Sequence, residues 1–234
     1  MTLSRRQVIE AGAASGVLAC MASSPLLAQV TRPTALPAFA PAPRQPLVSA
    51  QPLVAAQPRV IVDPSVDARI VARARAAFDR HRSQIFHTDV VGIADFTRAS
   101  SEMRFFLLDT NSGRVTRHLV AHGRGSDPGH TGFLQRFSNR IGSEASSEGS
   151  YVTSGFYQGK YGRSMRVRGL DYSNSNAETR AIVVHSAWYA EPNVLSGNGR
   201  LGRSEGCFAM PHASLQEVLR RLGPGRFLYA DRVA

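Results

Sequence analysis

Apolar residues recur along this chain first with a helical period and then with the shorter period of strands. After Asp63-Pro64, the residues Val66, Ile70, Ala74, Ala77 and Phe78 fall on one face, and Arg69, Arg73, Arg80 and Arg82 lie mostly off it. That spacing predicts an amphipathic helix with Asp63 as its cap, Pro64 in its first turn and an end near Gln84. From Met103 the pattern shortens. Met103–Asp109 and Arg114–Ala121 read as strands around the turn Thr110-Asn111-Ser112-Gly113. Tyr151–Tyr157 and Ser164–Leu170 read as a second pair around Gly159 and Gly162, Ala181–Val184 as a short buried strand, and Phe227–Ala230 as a last one. Ser143–Gly149 is small and polar, hence loop, and Pro211–Leu222 predicts a second helix. Many short strands with Gly-rich turns and few helices indicate a mainly β domain, and residues 59–234 are enough for one domain with a real core.

The first 58 residues follow neither pattern. Ser4-Arg5-Arg6-Gln7 opens the chain with paired arginines, and no charged residue occurs from Ala11 to Ala28. Residues 1–28 therefore read as an export signal of the twin-arginine kind, with Ala22 and Ala28 as candidate cut sites. Val17-Leu18-Ala19-Cys20 loosely resembles a lipoprotein box, but the apolar run continues past Cys20 to Leu27, which favours ordinary cleavage. The run is only marginally long enough to span a bilayer and is rich in small residues, so no stable membrane span is expected after cleavage. Residues 29–58 hold seven of the thirteen prolines and only Arg32 and Arg44 as charges. Two readings stand for them: a semi-rigid spacer, or a strap lying across the domain that follows.

Export changes the meaning of the cysteines. The chain has two, Cys20 and Cys207, and either ordinary cut removes Cys20. One thiol then remains in an oxidising compartment, where unpaired thiols are usually avoided; it is either a reactive group or an inert buried one. The net charge of +11 suits an anionic partner of the cell envelope, such as the free carboxylates of peptidoglycan stems. Nucleic acid is excluded by export and by arginines that are scattered without interleaved aromatics.

The residues around Cys207 favour the reactive reading. A buried strand ends in His185, and a polar loop with Gly197, Gly199, Gly202 and Gly206 leads to Arg203-Ser204-Glu205-Gly206-Cys207. An imidazole beside a thiol lowers its pKa and can take its proton. Gly206 lets the backbone turn so that its N–H and that of Cys207 face a developing oxyanion. A zinc site from Cys207, His212 and His185 would lack a second thiolate and any usual spacing, so no metal or other cofactor is expected.

This stretch resembles the YkuD-type L,D-transpeptidases, in the branch whose second half reads Gly-Arg-Ser-x-Gly-Cys. Ala94-Asp95-Phe96, Val120-Ala121-His122-Gly123-Arg124-Gly125, Phe137-Ser138-Asn139 and Tyr157-Gln158-Gly159-Lys160-Tyr161-Gly162 extend the likeness over the body from about Ile85. The resemblance implies a mainly β sandwich or barrel, with the amphipathic helix before it and a helix after the cysteine. It implies a thioester route on peptidoglycan stem peptides, donor and acceptor, with Cys207 as nucleophile, His185 as base and the Ser186 backbone carbonyl orienting that base. Arg203 then holds a substrate carboxylate or pairs with Glu205; Ser204 donates in the site or makes a turn; Trp188 and Tyr189 line a groove or pack; His122 borders the site or is structural. Glu205 stands where the family commonly has a second histidine, and Ser186 where it often has glycine. The expected activity is cross-linking in the periplasm or cell envelope. The alternatives are trimming of stems as an L,D-carboxypeptidase or endopeptidase with the same residues, or a basic wall-binding module without catalysis.

Overall fold

The computed structural model describes residues 63–233. The segment expected to be an export signal and the Pro-rich segment lie outside the described residues. Among the described residues no helix is long and apolar enough to cross a membrane.

The first helix, α1, spans Ala68–Arg80 and begins later than its sequence suggested. Asp63 instead caps a turn, accepting the Ser65 N–H at 2.8 Å, while the Val66 N–H closes on the Asp63 carbonyl. Asp67 is the true cap, accepting the Arg69 N–H at 2.8 Å. The helix stops at Arg80, and a short 3₁₀ turn carries the chain on to Gln84.

Eight strands follow: β1 Val90–Asp95, β2 Phe105–Asp109, β3 Val115–His118, β4 Gly149–Gly159, β5 Gly162–Gly169, β6 Val183–Ser186, β7 Phe208–Met210 and β8 Phe227–Asp231. They form one sheet in the order β3-β2-β1-β8-β4-β5-β6-β7. β1 and β8 pair in parallel at its centre, and β6 and β7 pair in parallel at one end. Ala121, just past β3, bridges to Ala209 on β7, so the two ends of the sheet come together.

Alternation along the strands sends side chains to two layers. Val91, Ile93, Phe106, Phe227 and Tyr229 face the α1 stripe of Ile70, Ala74 and Ala77. Their neighbours Ala94, Phe105, Leu107, Leu228 and Ala230 face inward with Tyr151, Met165, Val184 and Phe208. The second long helix, α3 (His212–Leu222), fills this inner side with Leu215, Val218, Leu219 and Leu222. Each such side chain contributes about 2 kcal/mol by leaving water. The architecture is the expected mainly β domain flanked by two helices. A further short helix, α2 (Pro192–Asn198), occupies part of what reads in the sequence as loop between His185 and Cys207.

Candidate active site

β6 and β7 bring His185 and Cys207 to one place. Their parallel register pairs Val184 with Phe208 and His185 with Ala209, and Cys207 directly precedes β7. Val184 and Phe208 point into the core, so the alternate positions Val183, His185, Cys207 and Ala209 share the opposite face. His185 and Cys207 are diagonal neighbours there, within reach of a long side chain.

The imidazole is fixed. His185 Nδ1 lies 2.9 Å from the Ser186 carbonyl. A carbonyl only accepts, so Nδ1 carries the hydrogen and Nε2 keeps the free lone pair. The Tyr161 ring stacks on the imidazole with centroids 4.5 Å apart and planes at 22°. Tyr161 sits at the tip of the β4–β5 hairpin, and the Ser186 hydroxyl holds that tip by donating to the Tyr161 carbonyl at 3.2 Å. Burial pushes the His185 pKa below its ordinary value; the Ser186 bond opposes this and Lys160 adds to it.

Cys207 is the free cysteine among the described residues and is half-buried. Its thiol lies 3.6 Å from the Ala181 carbonyl, and its sulfur accepts from the Val183 N–H. Burial pushes the thiol pKa up, and Glu205 adds to that; the Val183 N–H, Arg180 and Lys160 pull it down without prevailing. The thiol pKa therefore moves opposite to the lowering expected from an adjacent imidazole. With the histidine lowered and the thiol raised, the resting pair is neutral imidazole and neutral thiol.

The turn before Cys207 needs glycine. Gly206 has φ 113°, and a side chain there would meet the Ala145 carbonyl at 2.7 Å and Ile182 at 2.9 Å. The Gly206 N–H, expected to face the oxyanion, is already used: it donates to Ser204 Oγ at 3.1 Å. Of the two expected donors, the Cys207 amide remains. Ser204 is buried, and its hydroxyl also donates to the Cys207 carbonyl at 2.7 Å, so it builds the turn from inside.

Arg203 does not pair with Glu205. Its guanidinium donates to the Asp127 carbonyl and to the Pro128 carbonyl, the latter at 3.1 Å, and so braces the neighbouring loop. Glu205 is exposed and faces Arg124, 3.4 Å away, which also pairs with Glu144. Trp188 is 75% exposed, which removes it from the core and leaves its ring against Tyr189. Tyr189 is half-buried behind Gly202; burial pushes its hydroxyl pKa up, and the nearby Tyr161, Cys207 and Glu205 add to that.

His122 belongs to the scaffold, not to a substrate surface. It is 1% exposed and lies between the guanidinium of Arg104, 2.8 Å from Nδ1, and the carboxylate of Asp127, 3.4 Å from Nε2. Burial and Arg104 push its pKa down to about 3, so it is neutral. Its carbonyl accepts the Ser204 N–H at 2.9 Å, which ties the cysteine loop to this buried network.

Two residues carry weight here that the sequence did not single out. Arg104 is fully buried, donating to the Val120 carbonyl at 3.0 Å and the Arg98 carbonyl at 2.8 Å beside its bond to His122. Arg180 is half-buried next to the cysteine loop, with its Nη2 only 3.1 Å from where a Gly206 side chain would begin. It donates to the Ser138 carbonyl at 2.7 Å, to Ser147 Oγ at 2.6 Å and to the Ala145 carbonyl. None of these acceptors is a carboxylate, so its charge is free to act on Cys207. Asn139, by contrast, holds the 172–176 turn through the Tyr172 carbonyl at 2.8 Å and the Asn176 N–H at 3.0 Å.

The family model described as "L,D-transpeptidase catalytic domain" matches residues 62–230. No curated protein matches. Among solved structures, an L,D-transpeptidase from Mycobacterium smegmatis is 14% identical, with a TM-score of 0.37, over 61% of this chain and 58% of that one. An L,D-transpeptidase from Mycobacterium tuberculosis is 16% identical, with a TM-score of 0.35, over 61% of this chain and 57% of that one. The helical cell shape determining protein Pgp2 from Campylobacter jejuni is 14% identical, with a TM-score of 0.39, over 67% of this chain and 55% of that one. The chain thus spans less than two thirds of the length of these proteins.

Proposed function

From a chain that belongs to the L,D-transpeptidase catalytic domain family, we propose an exported cysteine acyltransferase that cross-links peptidoglycan stem peptides. The observation that carries this reading is the β6/β7 pairing. It sets His185, with Nδ1 tied to the Ser186 carbonyl, on the same face as Cys207.

In the first step His185 Nε2 takes the thiol proton as Cys207 Sγ attacks the donor carbonyl that follows an L-centre. A C–S bond forms, and the oxyanion is met by the Cys207 amide. The C–N bond to the D-residue then breaks, and His185 returns its proton to the leaving amine. In the second step the acceptor amine attacks the thioester and gives its proton to His185. The new amide forms, and sulfur leaves and recovers the proton. Because both partners rest neutral, proton transfer accompanies attack; no thiolate is stored in advance. Water in place of the amine would give trimming instead.

Purified muropeptides incubated with the protein, and analysed by mass spectrometry, test the reading. The expected product is a cross-linked dimer with loss of a D-residue, absent with Cys207→Ala. Products unchanged by that substitution would remove the nucleophile. Delivery to the envelope rests on Arg5-Arg6 and the apolar run to Ala28. Retention of Arg5→Lys/Arg6→Lys protein in the cytoplasm is expected, and normal export would point to another route.

A further inference from the structure

A cleft of about 590 Å³ opens between the β4–β5 hairpin and α3, away from the cysteine. Its floor is apolar, from Phe156, Leu215 and Leu219. Its charged lining residues are all basic: Arg163, Arg220 and Arg226, with His212 beside them and no carboxylate. Arg226 is held by Asp89, through two bonds of 2.8 Å. Arg163 lies 4.3 Å over the Phe156 ring, and neither it nor Arg220 has a carboxylate partner among the described residues. Both are exposed.

This cleft touches the dyad at its base. Tyr161 and Ser186 line it, and these are the two residues that hold His185, one by stacking and one by its carbonyl. Cys207 is not part of the lining. The donor carbonyl has to reach sulfur, whereas the second substrate has to bring an amine to the thioester carbon from the side of the imidazole that takes its proton. A cationic rim over an apolar floor fits a short peptide that ends in a free carboxylate and carries aliphatic side chains.

We propose that this cleft is the acceptor subsite, which takes the free carboxylate of the acceptor stem between Arg163 and Arg220. The proposal rests on the acyl-transfer reading above and adds where the second substrate sits. Acceptor choice then lies with α3 and the hairpin, outside the motif that contains the cysteine.

The two half-reactions separate the claims. Acylation is followed by intact mass with donor stem alone. Aminolysis is followed with a stem acceptor at graded concentrations, and with the same acceptor amidated at its carboxylates. Arg220→Gln and Arg163→Gln change exposed side chains, so the fold is expected to survive. Each should raise the acceptor KM about tenfold, the order expected for one hydrogen bond to a charged group. The acylation rate should stay within about twofold, and the amidated acceptor should be poor with the native protein and indifferent to the substitutions. An unchanged acceptor KM, an equal effect on the amidated acceptor, or a loss confined to acylation would each overturn the assignment. Failure of the native protein to acylate on any stem donor would instead overturn the acyl-transfer reading, and the subsite with it.

Discussion

The resting protonation of the dyad yields a measurable rate law. At the ordinary pKa of a free cysteine about 3% of the thiol is ionised at pH 7. Burial pushes Cys207 above that range, so its thiolate share at pH 7 is smaller still. Burial pushes His185 below its usual value, so at pH 7 the imidazole is largely neutral and provides no cation to hold the thiolate. Alkylation of the free enzyme by iodoacetamide, followed by intact mass from pH 5.5 to 9.5, should therefore rise about tenfold per pH unit through neutrality, since only the thiolate reacts. At pH 7 it should stand at or below about 3% of its limiting value. His185→Gln should leave this alkylation rate nearly unchanged at pH 7, while cutting turnover about a hundredfold or more. A plateau that begins below pH 7, lost in His185→Gln, would show a preformed thiolate–imidazolium pair and refute the reasoning.

Other perturbations follow from the same geometry. Arg180→Gln should move the alkylation midpoint to higher pH and Arg180→Lys should restore part of it, because the half-buried cation offsets the thiolate; equal midpoints in all three proteins would leave Arg180 only a brace. His185→Gln should cost about a hundredfold or more in kcat, while Glu205→Gln, which removes an exposed carboxylate held near Arg124, should keep most activity; reversed losses would mean the wrong base. Arg104→Met should destabilise the domain by about 3 kcal/mol, because the Val120 and Arg98 carbonyls and His122 Nδ1 lose a buried donor. Calorimetry should show a Tm lower by roughly 6–12 °C, and an unchanged Tm would contradict this role.

Two kinds of element were legible in the sequence: the helices α1 and α3, whose apolar stripes leave one wet face, and compact apolar runs bounded by turn residues, such as β6 and β8, which are buried on both faces. β1 is buried along its whole length, between β2 and the parallel β8, so Val90–Asp95 carries no alternation to read. β7 is three residues long, too short for any period. α2 had its signals, Pro192 at the start and Gly199 in the left-handed region at the end, but three other glycines near it read as loop.

The site divides in a similar way. His185 and Cys207 stood out because a strand end and a glycine turn are local features. The Ser204 hydroxyl that engages the Gly206 N–H stands only two residues before it, whereas the loop contacts of Arg203 and the burial of His122 depend on residues outside the motif. So do the partners of Arg104 and Arg180, which are mostly backbone carbonyls and carry no side-chain signature.

If acyl transfer passes through Cys207, the intermediate itself can be weighed. The protein is mixed with a donor stem in the absence of acceptor, quenched in acid within seconds, and measured intact and after proteolysis. The expected result is a mass increase equal to the stem less the whole D-amino acid released, mapped to the peptide containing Cys207 and discharged when an acceptor amine is added. Turnover of stems with no adduct on Cys207, or an adduct on another residue that persists in Cys207→Ala, would contradict it.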